Sequence, residues 1–379
     1  MKKITIVLIV LLSHWLNAQI AIHSFSQTQG TYVPISGGTV VAAYVGTVGV
    51  DKMDDVVYNL PSGTIPFLFN FNGTDYDGLN INSNGYITFG ATAPANNLYT
   101  PISASTAFNG AISSFGVDLE GGFLTSGDRT LGSPDILNVA NLGPVQVGDF
   151  ISGAGIPALT TIVAINGSTI TMSANATTTG LNGGVQFGGP SWSNIKYVTQ
   201  GVAPNRVFVI QYSNFKRFGT TFSIAQHMSL SFQIRLHEAD NSIQVVYGDC
   251  SPGLTTSTTT SQVGLRGSTN SFATNVNNRL NTKGVNDNWI NSAQGTSNAS
   301  GLLFNNASPA NIITSGLTYT WSPPLPCAGT PTAGSVTPAS LNICSGSLPG
   351  ALVLNGFSAG VSGISFQWEQ STDGGANWV

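Results

Sequence analysis

The chain has 379 residues, of which 7% are charged and 41% hydrophobic, with 45 glycines and a formal net charge of −4 at pH 7. Twelve Lys and Arg against 16 Asp and Glu exclude the clustered basic surface that drives nucleic-acid binding. Lys216 and Arg217 in SNFKRFG are too small a cluster to track phosphates. The hydrophobic content argues against a disordered chain.

Lys2 and Lys3 precede the apolar run ITIVLIVLL, followed by SHWLNAQ with a small residue at Ala18. This is the layout of a secretory signal peptide over residues 1–18. The apolar run is too short for a membrane-spanning helix, which needs about 20 residues. No later stretch is long and apolar enough to span, so the mature chain is expected to be exported, with no transmembrane segment.

Strand signals follow. In IPFLFNFNGTDYDGLNINSNGYITFG, Phe67, Phe69 and Phe71 share a face, and Asn84-Gly85 is a turn signal. NLGPVQVGDFISGAGIPALTTIVAINGSTITMSANATTTG reads as a small β-module inserted over 131–187, with Asn166-Gly167 as its hairpin turn. Insertions are tolerated at exposed loop tips. The module either binds a ligand or serves as a spacer, and spacer is the favoured reading. RVFVIQYSNF is apolar on both faces, as in a central strand. SLSFQIRL puts Leu230, Phe232, Ile234 and Leu236 on one face and Ser229, Ser231, Gln233 and Arg235 on the other. After the turn HEADN, SIQVVYG aligns Ile243, Val245 and Tyr247. No helical period persists beyond the signal peptide. The expected fold is all-β: an antiparallel β-sandwich or jelly-roll over 19–325.

Several of these segments, with QVGLRG and LTYTWSPP, resemble an N-terminal β-sandwich of large secreted or surface proteins of bacteria that use type IX secretion. F-x-F-x-G and NGYITFG are similar to the nidogen-type extracellular domain. The 131–187 segment resembles β-modules of phage tail and bacterial surface proteins. Past the Pro-rich SPPLPCAGTPTAG, FQWEQSTDGGANWV resembles strand C of an Ig-like repeat of bacterial adhesins, with Trp368 as its core tryptophan. Residues 326–379 are about half of the ~100 that an Ig-like sandwich needs, so a truncated Ig-like domain is expected there. These resemblances imply adhesive or ligand-binding work outside the cell. An accessory domain of a secreted hydrolase, or a stalk with no ligand, are the other readings.

Chemistry-bearing residues are few. Cys327 and Cys344 flank the start of the Ig-like segment, and in an exported chain pairing is the default; the loop they would close is worth about 3 kcal/mol. Cys250 in YGDCSPG is left over, as an inert turn cysteine. His23, His227 and His237 are scattered, without metal or triad spacing. Asp75 and Asp77 in NGTDYDG, with Asp118 and Glu120 in VDLEGG, are two short acidic loops that suit Ca²⁺ if they meet. The same residues also make ordinary turns, and paired carboxylates are what a glycosidase uses. Trp192 in GGPSWSN and Trp289 in GVNDNWINS sit in polar loops. A loop Trp more often caps its own core, while an exposed ring there, with Asp287 and Asn288 beside it, would stack on a sugar. No catalytic motif appears, so a non-enzymatic protein is expected, with no cofactor other than Ca²⁺ and with glycan or protein partners.

Overall fold

The alternating segments become strands where their pattern places them, because one buried face and one covered or solvated face is the stable arrangement of a sheet. The computed structural model describes residues 20–44, 52–106, 108–140, 142, 145–188, 192–218, 229–251, 258–284, 287–305, 313–324, 334–338, 350–357 and 377. The expected signal peptide, Cys327, Cys344 and Trp368 lie outside these.

Two antiparallel sheets form a sandwich. The first runs, in spatial order, Ser24–Gln29, Leu317–Ser322, Ile243–Ser251, Ser229–His237, Val207–Arg217, Asn194–Gln200 and Thr39–Ala43, and Leu119–Glu120 adds to Val207–Arg217. The second runs Ala293–Gln294, Val276–Leu280, Gly264–Arg266, Ala111–Ser113, Tyr86–Thr88, Leu79–Asn82 and Val57–Leu60. Among the described residues the only α-helix is Phe272–Asn275, and no helix is long and apolar enough to cross a membrane.

Between the sheets lies one core. Phe232, Ile234, Tyr212, Tyr247, Tyr319 and Trp321 of the first sheet meet Ile81, Ile87, Ile112 and Leu265 of the second, with Phe115 and Trp289 between them. Phe115 touches Phe232 at 4.8 Å and Tyr247 at 5.5 Å between ring centroids. Two buried tyrosine tips are satisfied across the gap. Tyr212 Oη donates to the Asn82 carbonyl (2.8 Å), and Tyr247 Oη donates to that of Ser114 (2.8 Å). Each such bond avoids the cost of burying a hydroxyl without a partner.

The polar face of SLSFQIRL departs from simple alternation. Ser231 and Gln233 are buried: Ser231 Oγ accepts from Asn214 N (3.0 Å), and the segment before Thr39–Ala43 lies over Gln233. Gln233 Nε2 donates to the Val33 carbonyl (2.8 Å), and Ile35 N donates to Gln211 Oε1 (2.7 Å). Glutamines here bond a covering segment that carries no strand pattern of its own.

A third antiparallel sheet spans Phe123–Arg129 to Gly180–Gly188, in the order Phe150–Ser152, Gly180–Gly188, Phe123–Arg129, Asp135–Leu137, Thr169–Met172, Ile162–Asn166. It has a separate core of Ile136, Ile151, Ile162, Ile170, Val185 and Phe187. The sheet starts before residue 131, where the sequence pattern alone begins the module. Its hairpin turn also differs by one residue from the sequence reading. Asn166 pairs with Thr169, so the two loop residues are Gly167 and Ser168, with Gly167 at φ +58°.

The chain divides into two compact units, Ala18–Pro323 and one that takes in Pro324–Val379. In the latter, Ser335–Thr337 pairs antiparallel with Val353–Asn355.

Candidate functional site

The loop GVNDNWINS is built around its own backbone. Asp287 Oδ2 accepts from Thr282 N (3.1 Å), Thr282 Oγ1 (2.8 Å) and Lys283 N (3.1 Å), and these contacts, against the opposing cost of burial, hold its carboxyl below the usual range. Asn288 caps a 3₁₀ turn by accepting from Ile290 N at 3.2 Å. The turn drives Trp289 inward. Its ring is fully buried against Phe115, Tyr247 and Phe304, and Nε1 donates to the Leu303 carbonyl at 3.1 Å. Of the two readings of Trp289, the structure shows core capping and not sugar stacking: the ring offers no face, and Asp287 is 3% exposed. Trp192 is half-buried and packs against the core of the third sheet.

Cys250 lies in the strand Ile243–Ser251 rather than in a turn, as a half-buried free thiol whose Sγ donates to the Ser231 carbonyl at 3.8 Å. Burial pushes this thiol up to about 12, and the thiolate is the reactive form. Iodoacetamide at about pH 8 is therefore expected to spare Cys250 in the native protein and to modify it in urea, read by peptide mass spectrometry. Equal labelling in both states would contradict the burial argument.

Asp75 and Asp77 are occupied locally. Asp75 Oδ1 accepts from Asn70 Nδ2 (2.6 Å) and Asp77 Oδ2 from Ser62 Oγ (2.9 Å). Among the described residues, the acidic side chains that come together are Asp54, Asp55 and Asp118, each offering an oxygen within 4.8 Å of the others. Asp75 and Asp77 are not in this group.

Asn84 assembles it. From the tight turn between Leu79–Asn82 and Tyr86–Thr88, its Nδ2 donates to Asp55 Oδ1 (3.2 Å) and its Oδ1 accepts from Leu119 N (2.9 Å). Tyr99 Oη donates to Asp55 Oδ2 at 3.1 Å. The loop carrying Asp54 and Asp55 is pinned on both sides. Gly121 N donates to the Lys52 carbonyl (2.7 Å), and Ser83 N donates to that of Val56 (2.9 Å). Met53 and Asp55 take left-handed backbone conformations, at φ +55° and +52°, which cost a non-glycine residue about 1–2 kcal/mol each. Asp118 enters from the stretch before Leu119–Glu120, two residues ahead of Glu120.

Glu120 is buried and pairs with Lys216 across the Leu119–Glu120/Val207–Arg217 ladder. Burial, then the Glu120 and Asp55 charges, push Asp54 up to about 6. Burial, then Asp55, Asp54 and Glu120, push Asp118 up to about 7, against the opposing pull of Arg217. No sequence pattern marked Asp54 and Asp55, because MDD sits in a loop without periodicity, far in sequence from Asp118.

A family model described as NIDO related matches residues 23–131 and 166–323. No curated protein and no solved structure matches the chain. The stretch 132–165 between the two matches falls inside the third sheet. The matched residues include every strand of both sandwich sheets, and the chain belongs to the NIDO-related family.

Proposed function

We propose that this chain is an extracellular, non-catalytic binding or display module, exported through residues 1–18 and carrying glycan or protein ligands on loops at the ends of its sandwich. The observation that carries this reading is its membership of the NIDO-related family on a sandwich with a continuous aromatic core, a scaffold that holds loops rigidly in place. With Trp289 in the core, the ligand-facing aromatic candidate that stays partly exposed is Trp192.

The test is retention of the mature chain on immobilised glycans and extracellular matrix proteins. Specific retention of the folded chain, weakened at least tenfold by Trp192→Ala, supports the binding reading and places the contact. Retention unaffected by that variant keeps binding and removes Trp192. Retention by none leaves a ligand-free stalk as the better account, and retention only on plant or microbial polysaccharide favours a targeting module of a secreted hydrolase.

A further inference from the structure

We propose that Lys216 and Glu120 condense after folding into an intramolecular amide, a covalent clamp between Leu119–Glu120 and Val207–Arg217. The proposal stands independently of the binding reading above.

The backbone places the two groups for reaction. Glu120 and Lys216 are direct partners in the antiparallel ladder, so their side chains leave it on the same side. Lys216 Nζ donates to Glu120 Oε1, which brings the nitrogen up to the carboxyl group it would attack. Held in this way, a step between two groups becomes internal and needs no encounter. Both side chains are buried. The stretch Lys52–Met53 closes the site beside them: Gly121 N donates to the Lys52 carbonyl (2.7 Å), and a Cβ on Gly121 would meet Met53 Cε at 2.5 Å.

In water the amine is protonated and the carboxyl ionised, and the two do not react. A dry site disfavours that pair of charges, and proton transfer within the pair gives a neutral amine beside a neutral acid. Burial lowers the Lys216 ammonium, the direction that frees its lone pair. The Nζ lone pair then attacks Glu120 Cδ. The Nζ–Cδ bond forms and the Cδ–Oε2 bond breaks. Oε2 departs as water, carrying its own proton and one from Nζ, and no oxidant or co-reactant is consumed. Oε2 is the free oxygen of the carboxyl, shut off from solvent and accepting no hydrogen bond from the described residues. Two buried charges become one neutral amide, and the water is released to bulk.

Asp118 is placed to carry the proton. Phe218 N donates to the Asp118 carbonyl (3.0 Å), which continues the ladder register, so Asp118 points to the same side as Glu120. Its Oδ1 is also buried and without a hydrogen bond from the described residues.

The position of the pair gives the bond a use. Leu119–Glu120 is two residues long and pairs with Val207–Arg217, a ladder too short to hold firmly by itself. The whole Phe123–Gly188 sheet lies in the chain between Glu120 and Lys216. An amide there closes the base of that insertion, in a region whose one described cysteine, Cys250, is free.

The test is the intact mass of the purified mature chain in denaturing solvent, followed by tryptic mapping. The expected result is a mass lower by about 18 Da, one water, with a branched peptide that joins Glu120 to Lys216 and no cleavage after Lys216. The freshly folded chain carries the ion pair, so the stability of the ion pair is read on chain that has not yet lost water. Lys216→Met is expected to keep its full mass. Asp118→Asn is expected to condense at least about tenfold more slowly at an unchanged Tm, and Asp118→Glu to restore the rate. A wild-type chain at its full mass overturns the proposal without recourse to any variant. So does a lost water that maps to a cyclic imide at Asp77-Gly78 rather than to the branched peptide. Condensation of Asp118→Asn at the wild-type rate overturns the role of Asp118.

Discussion

Lys216→Met is expected to cost about 3–5 kcal/mol of folding stability, because it leaves Glu120 charged, buried and unpaired. Lys216 is 1% exposed and Glu120 2% exposed, so neither charge is repaid by water. Burial lowers the Lys216 ammonium from its ordinary value, and the Glu120 charge opposes that shift. Replacing both partners, as in Lys216→Met with Glu120→Leu, removes the uncompensated charge. Such replacements are often neutral or stabilising by about 1–4 kcal/mol, so the double variant is expected to recover most of the loss in urea unfolding. A double variant no more stable than Lys216→Met would show that the cost lies in packing rather than in the pair.

Trp289→Ala is the second large effect, at about 3–5 kcal/mol. The ring touches Phe115, Tyr247 and Phe304, and Tyr319 Oη donates to the backbone carbonyl of the same residue, so the 3₁₀ turn is tied to the first sheet and to the loop and short strand that carry Phe115 and Phe304. Removing it opens a cavity among aromatics that cannot collapse without moving strands. Trp289→Phe is expected to cost less, since it keeps ring packing and loses chiefly the bond from Nε1 to the Leu303 carbonyl. A loss below about 1 kcal/mol for the alanine variant would place the ring outside the core.

How far the sequence could be read depended on whether a residue's neighbours are local. Phe67, Phe69 and Phe71 are all nearly fully buried, as their period predicts. Val207–Arg217 lies between two strands, as its two apolar faces require. Trp289 stayed open between core capping and sugar stacking because its chain neighbours are polar, yet those neighbours spend their polar atoms on the turn itself. Burial of the tryptophan is decided by strands far away in sequence. The acidic cluster was half-legible for the same reason. Asp118 was named and Glu120 with it, but Asp75 and Asp77 are engaged by Asn70 and Ser62, while the true neighbours of Asp118 sit in an unpatterned loop. Asn84 appeared as a turn residue, and nothing local shows that its amide also joins that loop to Leu119.

The pairing of Ser24–Gln29 with Leu317–Ser322, in register from Ser24↔Ser322 to Gln29↔Leu317, sets the order of events during biogenesis. The first sheet lacks a partner for its opening strand until residue 322 has been synthesised, and closing so long a loop is slow. The Phe123–Gly188 sheet pairs over much shorter separations and has its own core, so it is able to form first. The first sheet therefore closes last, after nearly the whole sandwich has been made.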